Sequence, residues 1–130
     1  MSKPRLLFVC VENACRSQMA AGFARALGGD ACEIYSAGSK PSGIVNPRAI
    51  QFMSEAGIDI SSSDSKSTAD VPQDGYAAVV TMGCGDACPF IAAERHVDWN
   101  LTDPKHLDDQ GFRDVRDDIR GKVEALLREI

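Results

Sequence analysis

Leu6-Leu7-Phe8-Val9-Cys10-Val11-Glu12-Asn13-Ala14-Cys15-Arg16-Ser17-Gln18-Met19-Ala20 changes its apolar period across a short gap. Leu6 to Val9 is a continuous apolar run of strand length, the pattern of a strand covered on both faces. From Ser17 onward, Met19, Ala20, Phe23, Ala24 and Leu27 recur at helical spacing. Cys10 to Arg16 is therefore the connection between a strand and a helix. Backbone N–H groups of Val11, Glu12, Asn13, Ala14, Cys15 and Arg16 can curl around an anion there, and the positive end of the helix beginning near Ser17 faces the same point. Arg16 adds a planar fork that holds two oxygens of a tetrahedral oxyanion at once, which a lysine cannot do. In such a nest Cys10 is expected to react as the thiolate, the form that positive surroundings favour. A captured oxyanion would then sit over a nucleophile, with the Ser17 hydroxyl and the Asn13 side chain available to steady the sulfur and the loop.

The stretch Cys10 to Ala20 resembles the phosphate-binding loop of the low-molecular-weight tyrosine phosphatase superfamily. Arg16-Ser17-Gln18-Met19-Ala20 is more similar to its arsenate reductase branch than to its phosphatases, which usually carry Pro after the Ser. The resemblance extends through Ser36-Ala37-Gly38, Asn46-Pro47 with Ala49-Ile50, a later pair of cysteines and Asp103-Pro104. Two positions depart from it. Glu12 puts an acid in an anion-binding loop, so its side chain is expected to point outward, and Ala21 stands where many relatives carry Glu at a monovalent-cation site.

Composition frames this reading. The 130 residues, 44% hydrophobic and 25% charged, are expected to form one domain over 1–130. A net charge of −5 argues against nucleic-acid and anionic-membrane partners. Met1-Ser2-Lys3-Pro4-Arg5 leads into only a strand-length apolar run, and no stretch approaches the roughly 18 apolar residues of a membrane span, so a cytoplasmic location is expected. Five cysteines in an uneven arrangement point to thiol chemistry rather than to a disulfide framework.

Further along, Cys32, Ile34 and Ser36 alternate with Glu33 and Tyr35 as a short strand. A helix capped by Asn46, with Pro47 at its first position, ends at Gly57 and turns Ile50, Met53 and Ala49 inward. Residues 61–75 read as loop with one short helical turn. Ala77-Ala78-Val79-Val80 is a second interior strand, Val97, Trp99 and Leu101 alternate as an edge strand, and from Phe112 the positions Val115, Ile119, Val123, Leu126, Leu127 and Ile130 draw a helical stripe. The fold class expected is α/β, a doubly wound four-stranded parallel sheet with helices on both faces, strands 1 and 3 interior. Cys10 and the segments after Val80 and Leu101 then emerge at one edge, where open parallel sheets bind ligands.

Two of those segments carry further chemistry. Cys84 and Cys88 lie four residues apart, and in a helical turn their Cα atoms would be about 6 Å apart, within disulfide range. Read blandly, they are small buried residues, or half of a zinc site with His96 and His106. In the family's reductases a resolving and a terminal cysteine follow the same strand, so the resemblance implies a relay from Cys10 to Cys84 to Cys88. It also implies that Asp103 is the general acid. The activity expected is reduction of arsenate to arsenite, with catalytic Cys10, Arg16, Cys84, Cys88 and Asp103 and an oxyanion loop of Val11, Glu12, Asn13, Ala14, Cys15, Arg16 and Ser17. No metal and no bound cofactor are expected. The implied partners are arsenate and an external thiol reductant, thioredoxin or else glutaredoxin or a low-molecular-weight thiol. The alternatives are a low-molecular-weight tyrosine phosphatase and a non-catalytic thiol or metal sensor. Lys105 and His106 stand where phosphatases tend to carry aromatic residues, and a phosphatase has no need of the two late cysteines.

Overall fold

In the computed structural model, residues 3–83 and 90–130 are described. Cys84, Cys88 and Gly85 fall outside them. The chain runs through β1 (Arg5–Cys10), α1 (Arg16–Gly28), β2 (Glu33–Gly38), α2 (Pro47–Glu55), β3 (Tyr76–Thr81), β4 (Ala93–Asp98) and α3 (Asp109–Arg128). All strand pairs are parallel, in the order β2-β1-β3-β4. The chain thus moves outward from β1 to β2 and then crosses back to β3. The carboxyl ends of β1 and β3 flank the point where the winding reverses, the place where open α/β sheets form a crevice.

Strand β1 is central and buried throughout its apolar run, which explains why its sequence does not alternate. Its side chains divide between two clusters. Leu6, Phe8 and Cys10 join Ala78 and Val80 under residues of all three α-helices, while Leu7 and Val9 meet Val71, Tyr76, Val79 and Ile91 on the opposite face. The four-stranded parallel α/β sheet expected from the sequence is present, and of the helices expected on both faces the three α-helices all join the first cluster. Among the described residues the second face is covered by the short 3-10 turn Thr68–Asp70 and the segments around Val71 and Ile91.

The first nine residues of α1 are all buried, because the helix lies between the sheet and the other helices. Asn46 caps α2 by accepting from the Arg48 N–H, with Pro47 at the first position, as expected. Phe52, which the helical pattern passed over, is fully buried against Phe112, with ring centres 4.9 Å apart. The reading of Val97, Trp99 and Leu101 as an alternating edge strand is corrected. Strand β4 ends at Asp98, and Trp99 and Leu101 lie in the coil beyond it. They are buried because that coil folds back over the sheet's carboxyl edge, with Trp99 against Phe8, rather than by alternation. Among the described residues no helix is long and apolar enough to cross a membrane.

Helices α2 and α3 are joined by Glu55, which accepts from Arg113 and Arg116. These hydrogen bonds pull its carboxyl down from 4.5 to about 2. A lowered carboxyl pKa stabilises the fold above the ordinary value and loses that contribution as pH falls toward the shifted one. Thermal melts are therefore expected to show Glu55→Gln less stable than wild type at pH 7, with the gap closing between pH 4.5 and 2.

Candidate active site

The loop between β1 and α1 is held from outside by its carbonyl oxygens. Those of Cys10, Val11 and Glu12 accept from the N–H groups of Ser39, Lys40 and Ser42, and Ser65 Oγ also donates to Glu12 O. The Asn13 carbonyl accepts from Gln18 Nε2, that of Ala14 from Asn46 N–H and that of Cys15 from Met19 N–H. In a planar trans peptide the N–H points opposite to its C=O. Six carbonyls turned outward therefore turn the N–H groups of residues 11 to 16 the other way. Helix α1 has no side-chain cap at Cys15, so its first donors remain open as well.

Close packing makes the loop possible. A Cβ at Gly38 would lie 2.6 Å from Val11 O and 2.9 Å from Asn13 N, so β2 can run beside the loop only with glycine there. Asn13 adopts a left-handed backbone at φ 51°. Its Oδ1 accepts from the Lys66 N–H at 2.9 Å and from Gln18 Nε2 at 3.1 Å, and its Nδ2 donates to Ser17 Oγ at 2.7 Å. Ser17 Oγ lies 2.9 Å from Cys10 Sγ. Because the Asn13 amide occupies one acceptor position of that hydroxyl, the Ser17 proton is free to be donated to the sulfur. A directed chain of donors thus ends at Cys10, in which Asn13 and Ser17 take the places foreseen for them and Lys66 and Gln18 are additions.

Arg16 is buried beside this sulfur. Its Nη1 donates to the Leu101 carbonyl at 3.3 Å and its Nη2 lies 3.7 Å from Asp103 Oδ2, both partners being on the coil after β4. Asp103 in turn accepts from the Lys105 N–H and opens the 3-10 turn Pro104–His106. Gly83, at φ 78°, packs on the guanidinium, and a Cβ there would fall 2.5 Å from Nη1. The role of Gly83 here is to leave room for Arg16.

Cys10, Arg16 and Asp103 open into a cavity of about 180 Å³ that Glu12, Ala14, Cys15, Ser42, Ile44, Asn46, Pro47 and Lys105 also line. Glu12 does not point away from it as expected. Its carboxylate stands at the rim and accepts from Lys105 Nζ at 2.7 and 3.3 Å, so the charge is compensated instead of removed. An acid inside an anion loop was itself the signal that a cation had to be near. Cys15 lines the cavity as well, but burial, with the Asp103 carboxylate adding to it, pushes its thiol up to about 12. Cys32 lies away from the cavity and half-buried. Of the histidines, His96 Nε2 is 2.7 Å from the Ile91 carbonyl and its ring stacks on Phe90. Among the described residues no three metal-capable side chains cluster.

The chain matches the family described as low molecular weight phosphotyrosine protein phosphatase over residues 5–130. It is 40% identical over 129 residues to a glutaredoxin arsenate reductase of Synechocystis sp., covering 97% of this chain and 98% of that protein. A solved arsenate reductase in the phosphate-binding state superposes with a TM-score of 0.90 at 39% identity, over 98% of each chain. A thioredoxin-dependent arsenate reductase of Corynebacterium glutamicum is 33% identical with a TM-score of 0.80, over 99% of this chain and 62% of its own.

Two outcomes are expected. Gly83→Ala should displace the Arg16 guanidinium and weaken inorganic phosphate about tenfold by titration calorimetry, without unfolding the protein. With a pKa of about 12, only about one Cys15 thiol in ten thousand is ionised at pH 8, so mass spectrometry of native protein treated with iodoacetamide should find Cys15 unmodified.

Proposed function

We infer that this chain, which belongs to the low molecular weight phosphotyrosine protein phosphatase family, is an arsenate reductase that forms arsenite. Its similarity along almost its whole length to enzymes of that name supports the reading, and the site supplies the chemistry. The structural observation that carries it is the packing of Gly83 on Arg16, because Gly83 immediately precedes Cys84. Gly83 itself lies against Arg16 of the anion cradle, the sequence that follows it carries Cys84 and Cys88, and hydrolysis alone would have no use for those thiols.

In this mechanism the loop N–H groups and Arg16 hold arsenate, and the Cys10 thiolate attacks arsenic as Asp103 protonates the departing oxygen, which leaves as water. Ser17 stabilises the sulfur anion before attack through the contact described above. Cys84, as thiolate, then attacks Cys10 Sγ. The sulfur–arsenic bond breaks, its electron pair passes to arsenic, arsenite departs and a Cys10-Cys84 disulfide remains. Cys88 attacks Cys84 and releases the Cys10 thiolate, leaving a Cys84-Cys88 disulfide. An external dithiol removes those oxidising equivalents, so no bound cofactor takes part. Because the names of relatives include both a glutaredoxin and a thioredoxin enzyme, either protein is a candidate reductant. The need for free thiols between turnovers places the reaction in the reducing cytoplasm.

Arsenate-dependent NADPH consumption, coupled separately to thioredoxin with its reductase and to glutaredoxin with glutathione, tests the relay. Cys10→Ser, Cys84→Ser and Cys88→Ser are each expected to lose turnover by about a hundredfold or more, whereas Cys32→Ser retains it. Full turnover by both late-cysteine variants would remove the relay. Hydrolysis of p-nitrophenyl phosphate with no arsenate-dependent oxidation would favour the phosphatase, and stoichiometric zinc in protein purified without chelator would favour the sensor.

A further inference from the structure

The floor and the rim of the cavity differ in a way that bears on which oxyanions can enter. At the floor, Cys10 and Arg16 are buried, whereas Glu12 and Lys105 at the rim have side chains 36% exposed. Each rim residue is fixed through its backbone. The Glu12 carbonyl is held by Ser42 N–H and Ser65 Oγ, and Lys105 is held by Asp103 on its N–H and by Arg48 Nη1 on its carbonyl. Arg48 is itself stacked over Phe112, 4.9 Å from the ring centre, and paired with Asp109. Most exposed ion pairs spend entropy on aligning two mobile side chains. Here both attachment points are already set, and a carboxylate from the loop meets an ammonium from the far wall.

We propose that the Glu12–Lys105 ion pair is a specificity determinant of the anion site, a bar across its mouth that admits a free tetrahedral oxyanion and rejects organic monoesters of one. A free oxyanion passes the rim and, once seated, is satisfied by the floor and leaves nothing in the mouth. A monoester must carry its organic group outward along the rim, against two charges that it would desolvate without replacing their hydrogen bonds. The pair also leaves the rim neutral, so the incoming anion meets neither a bare carboxylate nor a competing cation. The inference deepens the arsenate reading, on which it rests for the identity of the substrate.

Titration calorimetry on the reduced full chain, with inorganic phosphate and benzylphosphonate as probes, tests the proposal without turnover. Wild type is expected to prefer phosphate by at least about tenfold, and Glu12→Ala combined with Lys105→Ala to lose most of that preference. The kcat/KM for p-nitrophenyl phosphate should rise about tenfold in the double variant. The single variants supply an independent sign. Glu12→Gln frees the ammonium and tightens phosphate, whereas Lys105→Met leaves the carboxylate beside the anion and weakens it. An unchanged preference in the double variant, no preference in wild type, or the same sign for both single variants would overturn the proposal. Failure to form arsenite would instead remove the reductase reading and leave these binding ratios standing.

Discussion

A buried guanidinium that, among the described residues, has most of its donors still to be used is the constraint around which this molecule is arranged. Arg16 offers five N–H groups, and among the described residues one is committed to the Leu101 carbonyl, with Asp103 near a second at 3.7 Å. A positive charge out of water and incompletely paired makes a strong claim on an anion. Each neighbouring element meets that claim in a specific way. The coil after β3 sets Gly83 against the fork, the coil after β4 brings a carbonyl and a carboxylate to its edge, and β1 ends in a sulfur that lines the same cavity.

The second requirement is that the loop be formed before the anion arrives. Six outward carbonyls, a glycine that lets β2 run within contact of the loop, and Asn13 locked in its left-handed conformation accomplish this from outside the cradle. The anchors come from segments far apart in sequence, so the cradle is a property of the assembled fold. The reversal of winding between β1 and β3 explains the position of the opening, since no helix-bearing crossover covers the gap between those strand ends.

The parts of the site legible in the sequence were those whose chemistry is local. The run from Leu6 to Ala20 revealed strand, turn and helix because the period changes there, and Asn46-Pro47 revealed a helix start because the cap is a matter of adjacent residues. Interior positions for β1 and β3 followed from their unbroken apolar runs. What escaped depends on long-range approach. Trp99 and Leu101 have the spacing of a strand, and nothing in that spacing shows that the chain has already turned in over the sheet. The contact of Gly83 with Arg16 and the reach of Lys105 to Glu12 join positions 67 and 93 residues apart, and periodicity carries no information on such pairs. Only the misfit of an acid within an anion loop hinted at the second of them.

Cys15 has a consequence for fidelity. A sulfur five positions from Cys10 that shares the cavity is well placed to short-circuit any traffic of electrons through the site, trapping the nucleophile in an unproductive bridge. Burial holds that sulfur in its protonated form, so it lacks the charge that exchange requires. The fold thereby keeps a bystander thiol silent chiefly by withholding water from it, with the charge of Asp103 adding to the effect.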